Sequence, residues 1–160
     1  MPDTLLDPIS VVLATEDATA ALAGQLAGLL RPGDTVLLHG PIGAGKTHFA
    51  RALIRARLGR AEEVPSPTFT LVQTYDAPEA EIWHADLYRL SHPDEVWELG
   101  LDEAFRTAIC LVEWPDRLGR HLPDEALHIR LLSAGEGRTA EITGGRPGLL
   151  RGLQGVISHG

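Results

Sequence analysis

Apolar residues change their spacing along this chain, and each change marks an element. Residues 11–14 ("VVLA") are a short apolar run that predicts a strand. Thr15 follows as the N-cap of a helix on which Leu22, Leu26, Leu29 and Leu30 recur at helical spacing. The turn "RPGD" separates that helix from "TVLLHG", a continuously apolar stretch with the look of a strand buried on both faces. From Lys46 to Leu58 the spacing is helical again, with Phe49, Leu53, Ile54 and Leu58 inward and Gly59 as the stop.

The middle segment "VPSPTFTLVQTYDAPEAEIWHADLYRL" predicts two strands joined by a turn at residues 76–79. Ser91, Pro93 and Asp94 predict a helix start and Gly100 a helix stop. "AICLVEW" is a second continuously apolar run and predicts another central strand. "ALHIRLL" and "RTAEIT" alternate on either side of a glycine-containing turn, which predicts a terminal hairpin. Residues 147–160 leave two options, a weak amphipathic helix or a frayed tail. No repeat, linker or low-complexity stretch interrupts the 160 residues, so a single domain is expected, with its core over about residues 11–143.

The most specific chemistry lies between the second predicted strand and the helix after it. Gly40, Pro41, Ile42, Gly43, Ala44, Gly45, Lys46 and Thr47 fit G-x-x-x-x-G-K-[ST] at every fixed position. Glycines there let successive backbone N–H groups turn towards an anion, and the helix adds its positive N-terminus. Lys46 reaches the outer phosphates and the Thr47 hydroxyl ligates Mg²⁺. Lys46 is the only lysine in a chain that otherwise carries thirteen arginines. A compact ammonium suits a cradle crowded with phosphate oxygens, where a planar guanidinium has the wrong shape.

The chain contains no asparagine, so the Asn-Lys-x-Asp guanine signature cannot be formed and the choice tilts to ATP. A metal-dependent site also needs an acid at the end of a neighbouring strand. Glu113, closing "ICLVE", is the best placed, and Asp86 in "HADLYR" is a second acid that would orient the attacking water or support the metal. His84 shares a strand face with Asp86, although a lone histidine is more often structural. "SPTFT" is a stiff, hydroxyl-rich loop that offers Ser66 or Thr68 as a hydroxyl sensing the outer phosphate.

Charge and composition then exclude more than they add. A net charge of −8 argues against a surface built to grip a phosphate backbone, so no direct DNA contact is expected and any contact with nucleic acid is local or made through a partner. Arg51, Arg55, Arg57 and Arg60 form a modest basic cluster that reads first as a solvated face. Trp83, Trp97 and Trp114 read as core or interface anchors. No apolar stretch approaches the roughly 18–20 residues needed to span a bilayer, and the acidic N-terminus is not a secretory signal. A lone cysteine, Cys110, lies in an apolar run and reads as a core residue; that usage suits the cytoplasm.

Taken in order, "GPIGAGKTHFAR", "SPTFTLVQTY", "WHADLYRL", "ELGLDE" and "LVEWPDR" resemble the bacterial TsaE (YjeE) family over about residues 11–138. The resemblance implies an α/β, three-layer P-loop NTPase fold with a central mostly parallel sheet and a C-terminal antiparallel hairpin. It implies binding of ATP or ADP with Mg²⁺ and slow hydrolysis that resets a TsaD–TsaB heterodimer. That complex places threonylcarbamoyl on the tRNA adenosine beside the anticodon, so tRNA is reached indirectly. On this resemblance Lys46 and Thr47 fall on the phosphate and metal positions, Glu113 on the second metal ligand, Asp86 on the acid of "DLYR" and Thr68 on a switch-like loop. Glu16, Gly137 and Arg138 fall on segments that flank the base, while His48 and Ala85 depart from the family pattern. Two other readings of the residues stay open, a small-molecule P-loop kinase and a nucleotide-controlled binding module with little hydrolysis.

Overall fold

The computed structural model describes residues 8–41, 43–59, 72–135 and 137–159. Along the chain run β1 (Ile9–Leu13), α1 (Glu16–Ala27), β2 (Thr35–His39), α2 (Lys46–Leu58), β3 (Val72–Ala77) and β4 (Ala80–Asp86). Then come α3 (Glu95–Glu98), α4 (Leu101–Thr107), β5 (Ile109–Glu113), a 3-10 segment (Pro115–His121), β6 (Leu127–Ala134), β7 (Gly137–Gly144) and α5 (Leu149–His159).

The strands form one seven-stranded sheet in the order β1-β7-β6-β2-β5-β4-β3. Its centre is parallel, as expected: β6, β2, β5 and β4 run the same way. Antiparallel strands close both edges, β3 on one side and the β6–β7 hairpin with β1 on the other. The two continuously apolar runs are the central strands β2 and β5, which explains why neither alternates.

Helices cover both faces, giving three layers. Val36, Leu38, Ile109 and Leu111 pack with Leu22 and Leu26 of α1, Phe49 and Leu53 of α2, and Leu149 and Leu153 of α5. Leu37 and Val112 point the other way, towards Val96, Leu101 and Leu118. Cys110 is buried as expected, and burial pushes its thiol up to about 12.

Helix ends follow local chemistry where that chemistry is contiguous. Thr15 caps α1 by accepting from the Ala18 N–H at 3.1 Å, and Gly59 ends α2 in the left-handed region. Arg57 is not part of a free basic face. Its guanidinium donates to the carbonyls of Ala27 and Leu30, at 2.7 and 3.0 Å, and so closes the C-terminal end of α1.

One expectation needs correction, and one open choice is decided. The helix after Ser91 does not start there: α3 is a single turn with Asp94 at its cap position, and Asp94 makes no side-chain capping bond. The Asp94 carboxylate instead accepts from His121 at 2.8 Å. Gly100 does end α3, but at φ +86° it also opens α4, a helix too short to reveal its period in the sequence. Residues at the C-terminus form a helix, not a frayed tail, because Leu149, Leu150 and Leu153 are buried against the sheet.

Candidate functional site

Topology delivers six segments to one edge of the sheet. Because β2, β4 and β5 are parallel, His39, Asp86 and Glu113 end at the same edge, and Asp86 sits opposite Glu113 in the β4–β5 register. The β6–β7 hairpin turns there, so β7 begins beside the loop, and Leu13 at the end of β1 pairs with Arg138. The phosphate-loop motif, the two acids, Arg138 and the start of α1 are thus neighbours although they span most of the chain.

The loop leaves β2 at Gly40 and enters α2 at Gly45, which caps the helix at φ +99°. Gly40 is required by a backbone contact and Gly45 by its positive φ. A Cβ on Gly40 would lie 2.6 Å from the Leu131 carbonyl oxygen, and one on Gly45 would meet the Arg138 guanidinium at 3.0 Å. Ala44 donates back to the Pro41 carbonyl at 3.1 Å, folding the loop over the helix start. Ile42 lies outside the described residues.

Lys46 is buried at this helix start. Its ammonium donates to the Gly40 carbonyl and lies 3.5 Å from the centre of the Trp114 ring. Burial pulls its pKa below the usual lysine range, while Glu113, Asp86 and Asp116 pull it back up. Trp114 adopts a left-handed backbone, φ 59° and ψ 53°, rare for a bulky residue. That turn, directly after Glu113, brings the indole over Lys46.

The acidic side is built around Glu113, which is 2% exposed. Its Oε1 accepts from the Thr47 hydroxyl at 2.8 Å, and its Oε2 accepts from His84 Nε2 at 2.7 Å. With its proton donated to Glu113, the Thr47 oxygen keeps its lone pairs for another partner. Asp86 is half-buried, and its carboxylate accepts from the Tyr88 N–H at 3.1 Å. Desolvation raises its pKa above the ordinary value, opposed by the Tyr88 bond.

On the other side of the loop Arg138 donates from Nη2 to the Gly43 carbonyl at 3.1 Å, while its buried Nε has no hydrogen-bond partner among the described residues. His48 Nε2 donates to the Glu16 carbonyl at 3.3 Å, tying α2 to the start of α1. Gly137 packs so tightly against β1 that a Cβ would lie 2.8 Å from the Leu13 carbonyl oxygen. Gly43, Gly45, Lys46, Thr47, His48, Asp86, Glu113, Trp114 and Arg138 together line a hollow of about 300 Å³.

The described P-loop residues, Thr47 among them, gather with Glu113, Asp86, Arg138, His48 and Glu16 at one edge, whereas Ser66 and Thr68 lie outside the described residues. This donor set fits a nucleotide phosphate with a divalent cation. Gly43 opens on free space within the loop, a guanidinium lies against Gly45 with its buried Nε unpaired among the described residues, and a threonine oxygen with free lone pairs stands beside a buried carboxylate. Two contributions escaped the sequence. Trp114, read as an anchor, does pack against the second core cluster but also covers Lys46. His84, read as more often structural, holds Glu113; alternation placed it on the Asp86 face, but only the β4–β5 pairing shows its partner.

Comparison with known proteins agrees with this architecture. Residues 13–140 match the family model "Threonylcarbamoyl adenosine biosynthesis protein TsaE". A Rickettsia bellii tRNA threonylcarbamoyladenosine biosynthesis protein TsaE is 41% identical over 120 residues, 75% of this chain and 83% of the relative. The Bacillus subtilis protein of that name is 40% identical over 121 residues, 75% of each chain. The crystal structure of Bacillus subtilis YdiB superposes with a TM-score of 0.79 at 28% identity, covering 97% of both chains. With the family model spanning most of the chain and relatives near 40% identity, this chain belongs to the TsaE family of tRNA threonylcarbamoyladenosine biosynthesis proteins.

Proposed function

We propose that this chain is a slow, Mg²⁺-dependent ATPase of the cytoplasm that resets a TsaD–TsaB heterodimer during threonylcarbamoyl modification of the tRNA adenosine beside the anticodon. The observation that carries the reading is the Thr47–Glu113 contact at 2.8 Å, directly after a glycine cradle. Family membership supplies the modification pathway.

Backbone N–H groups of residues 40–47 hold the phosphates of ATP or ADP, and Lys46 leaves the Gly40 carbonyl to meet the outer ones. Thr47 and Glu113 are the residues that would hold Mg²⁺, which when bound offsets charge on the β- and γ-phosphates. Asp86 accepts a hydrogen bond from the attacking water, whose oxygen bonds to the γ-phosphorus as the bond to the bridging oxygen breaks, releasing ADP and phosphate. Desolvation raises the Asp86 pKa above its ordinary value, which makes its carboxylate a stronger proton acceptor for that task. Thr68 serves as the hydroxyl that senses the outer phosphate. Glu16, His48, Gly137 and Arg138 flank the base side of the loop. With a net charge of −8, the chain reaches tRNA through its protein partners.

Phosphate release tests the reading. Adding TsaD–TsaB should raise it, and Lys46→Ala should lower it by at least about 100-fold, since no second lysine can substitute. Stimulation by a metabolite alone would favour a kinase, and no stimulation by either would favour a binding module. Absence of any complex with TsaD–TsaB, at every nucleotide state, would remove the partner from the proposal.

A further inference from the structure

His84 is an unusual core residue. It lies on β4 with no exposed surface, and its Nε2 meets Glu113 Oε2 at 2.7 Å. Its other ring nitrogen, Nδ1, is buried without a hydrogen-bond partner among the described residues. A position that only filled space would be better served by an apolar side chain, because a buried imidazole nitrogen without a partner is destabilising. The one polar contact of this ring is therefore the reason to keep it.

That contact settles how Glu113 is presented. A carboxylate only accepts, so His84 must carry its proton on Nε2 and donate it to Oε2. The carboxylate plane is then pinned at one oxygen, and the other is left to accept from Thr47 at 2.8 Å. Thr47, with its proton committed, must turn its lone pairs away from Glu113. Three residues from β4, β5 and α2 thus form one hydrogen-bonded chain, with His84 and Thr47 both donating to Glu113, and the chain opens towards the hollow at the threonine oxygen.

We infer that His84 is a positioning residue for the cation: it orients Glu113, which orients the Thr47 hydroxyl. The inference rests on the Thr47–Glu113 reading above and deepens it, because it assigns metal affinity in part to a residue that touches neither metal nor nucleotide. Outer-shell partners of this kind usually change metal affinity by about 10–100-fold when removed.

The test is the affinity of ADP for the full chain, measured by calorimetry with and without Mg²⁺. For His84→Ala, the Mg²⁺ concentration that half-restores tight binding should rise about tenfold, with metal-free ADP affinity unchanged within about twofold. His84→Gln, whose amide nitrogen can still donate to Glu113, should recover most of the loss. In the wild-type protein the His84 Nε2 resonance should move when Mg²⁺ is added to the ADP complex, a readout that needs no variant to fold. A folded His84→Ala protein with a wild-type Mg²⁺ titration, equal losses with and without metal, or a silent Nε2 resonance would each overturn the inference. Thr47→Ala run alongside separates the two levels. If it also keeps the wild-type Mg²⁺ titration, the metal reading of the loop has failed, and not merely the part given to His84.

Discussion

The central strands carry a buried carboxylate at each end, and the two are held in opposite ways. Asp34, 7% exposed just before β2, accepts from Arg146 Nε on both oxygens at 3.0 and 3.1 Å and from the Arg31 N–H at 2.8 Å. The same guanidinium donates to the Leu29 carbonyl at 2.6 Å, so the cluster pins the end of β7 to the turn after α1. Glu113, at the far end of β5, is met by a hydroxyl and an imidazole. A guanidinium is a permanent cation that cancels the charge it binds, whereas a hydroxyl and an imidazole orient a carboxylate without permanently neutralising it. The hollow beside Asp34, about 440 Å³, is larger than the one at the loop, yet its buried carboxylate is fully engaged within the protein. Charge left available, and not volume, distinguishes the end proposed to take a ligand from the end that holds the fold.

Breaking the Asp34 end should produce the largest change, and it should be a change in stability alone. Asp34→Ala leaves Arg146, only 22% exposed, without its counter-charge and the Arg31 N–H without an acceptor. Unfolding in urea should show a loss of about 2–4 kcal/mol, while ADP affinity of the folded protein stays within about twofold. A fall in ADP affinity without a fall in stability would mean that the two ends are coupled. Glu113→Gln should do the reverse. The shape of the side chain is kept and its charge removed, so stability should move by less than about 1 kcal/mol while the Mg²⁺ dependence of ADP binding weakens about 10–100-fold. An unchanged metal titration would transfer the metal role to Asp86.

These two clusters also show what a reader of the sequence can and cannot see. The phosphate loop and the helix from Lys46 to Leu58 were legible because every residue that defines them is contiguous. Glu113 was legible as the charged end of an apolar run. Arg146 lies 112 positions from Asp34, Arg138 lies 95 from Gly43 and His84 lies 29 from Glu113, and each meeting depends on a strand order that leaves sequence order. Spacing along a chain does not state which strands are neighbours. The Asp94 misreading has the same origin: its local capping geometry was plausible, but His121, 27 residues away, takes the carboxylate.

Asp86 is the finest test of the comparison, since it faces Glu113 across the β4–β5 register but accepts only a backbone N–H, with no ion-pair contact or side-chain donor among the described residues. Desolvation raises its folded pKa above the ordinary 3.8. Between those two values the folded chain holds more protons than the unfolded one, so stability falls as pH rises through the window and stays lower above it. At neutral pH the ionised carboxylate is therefore a small burden on the fold, reduced by its partial exposure to solvent. Asp86→Asn keeps an oxygen for the Tyr88 N–H and removes the burden. Its melting temperature at pH 7 should rise by about 1–2 °C, and the advantage should vanish below about pH 3, where the wild-type carboxyl is protonated in both states. Turnover should fall at least about tenfold in the same variant. Loss of stability at pH 7 would place Asp86 with Asp34 among the groups that hold the fold, leaving Glu113 as the acid of the β4–β5 pair whose charge serves the proposed cation.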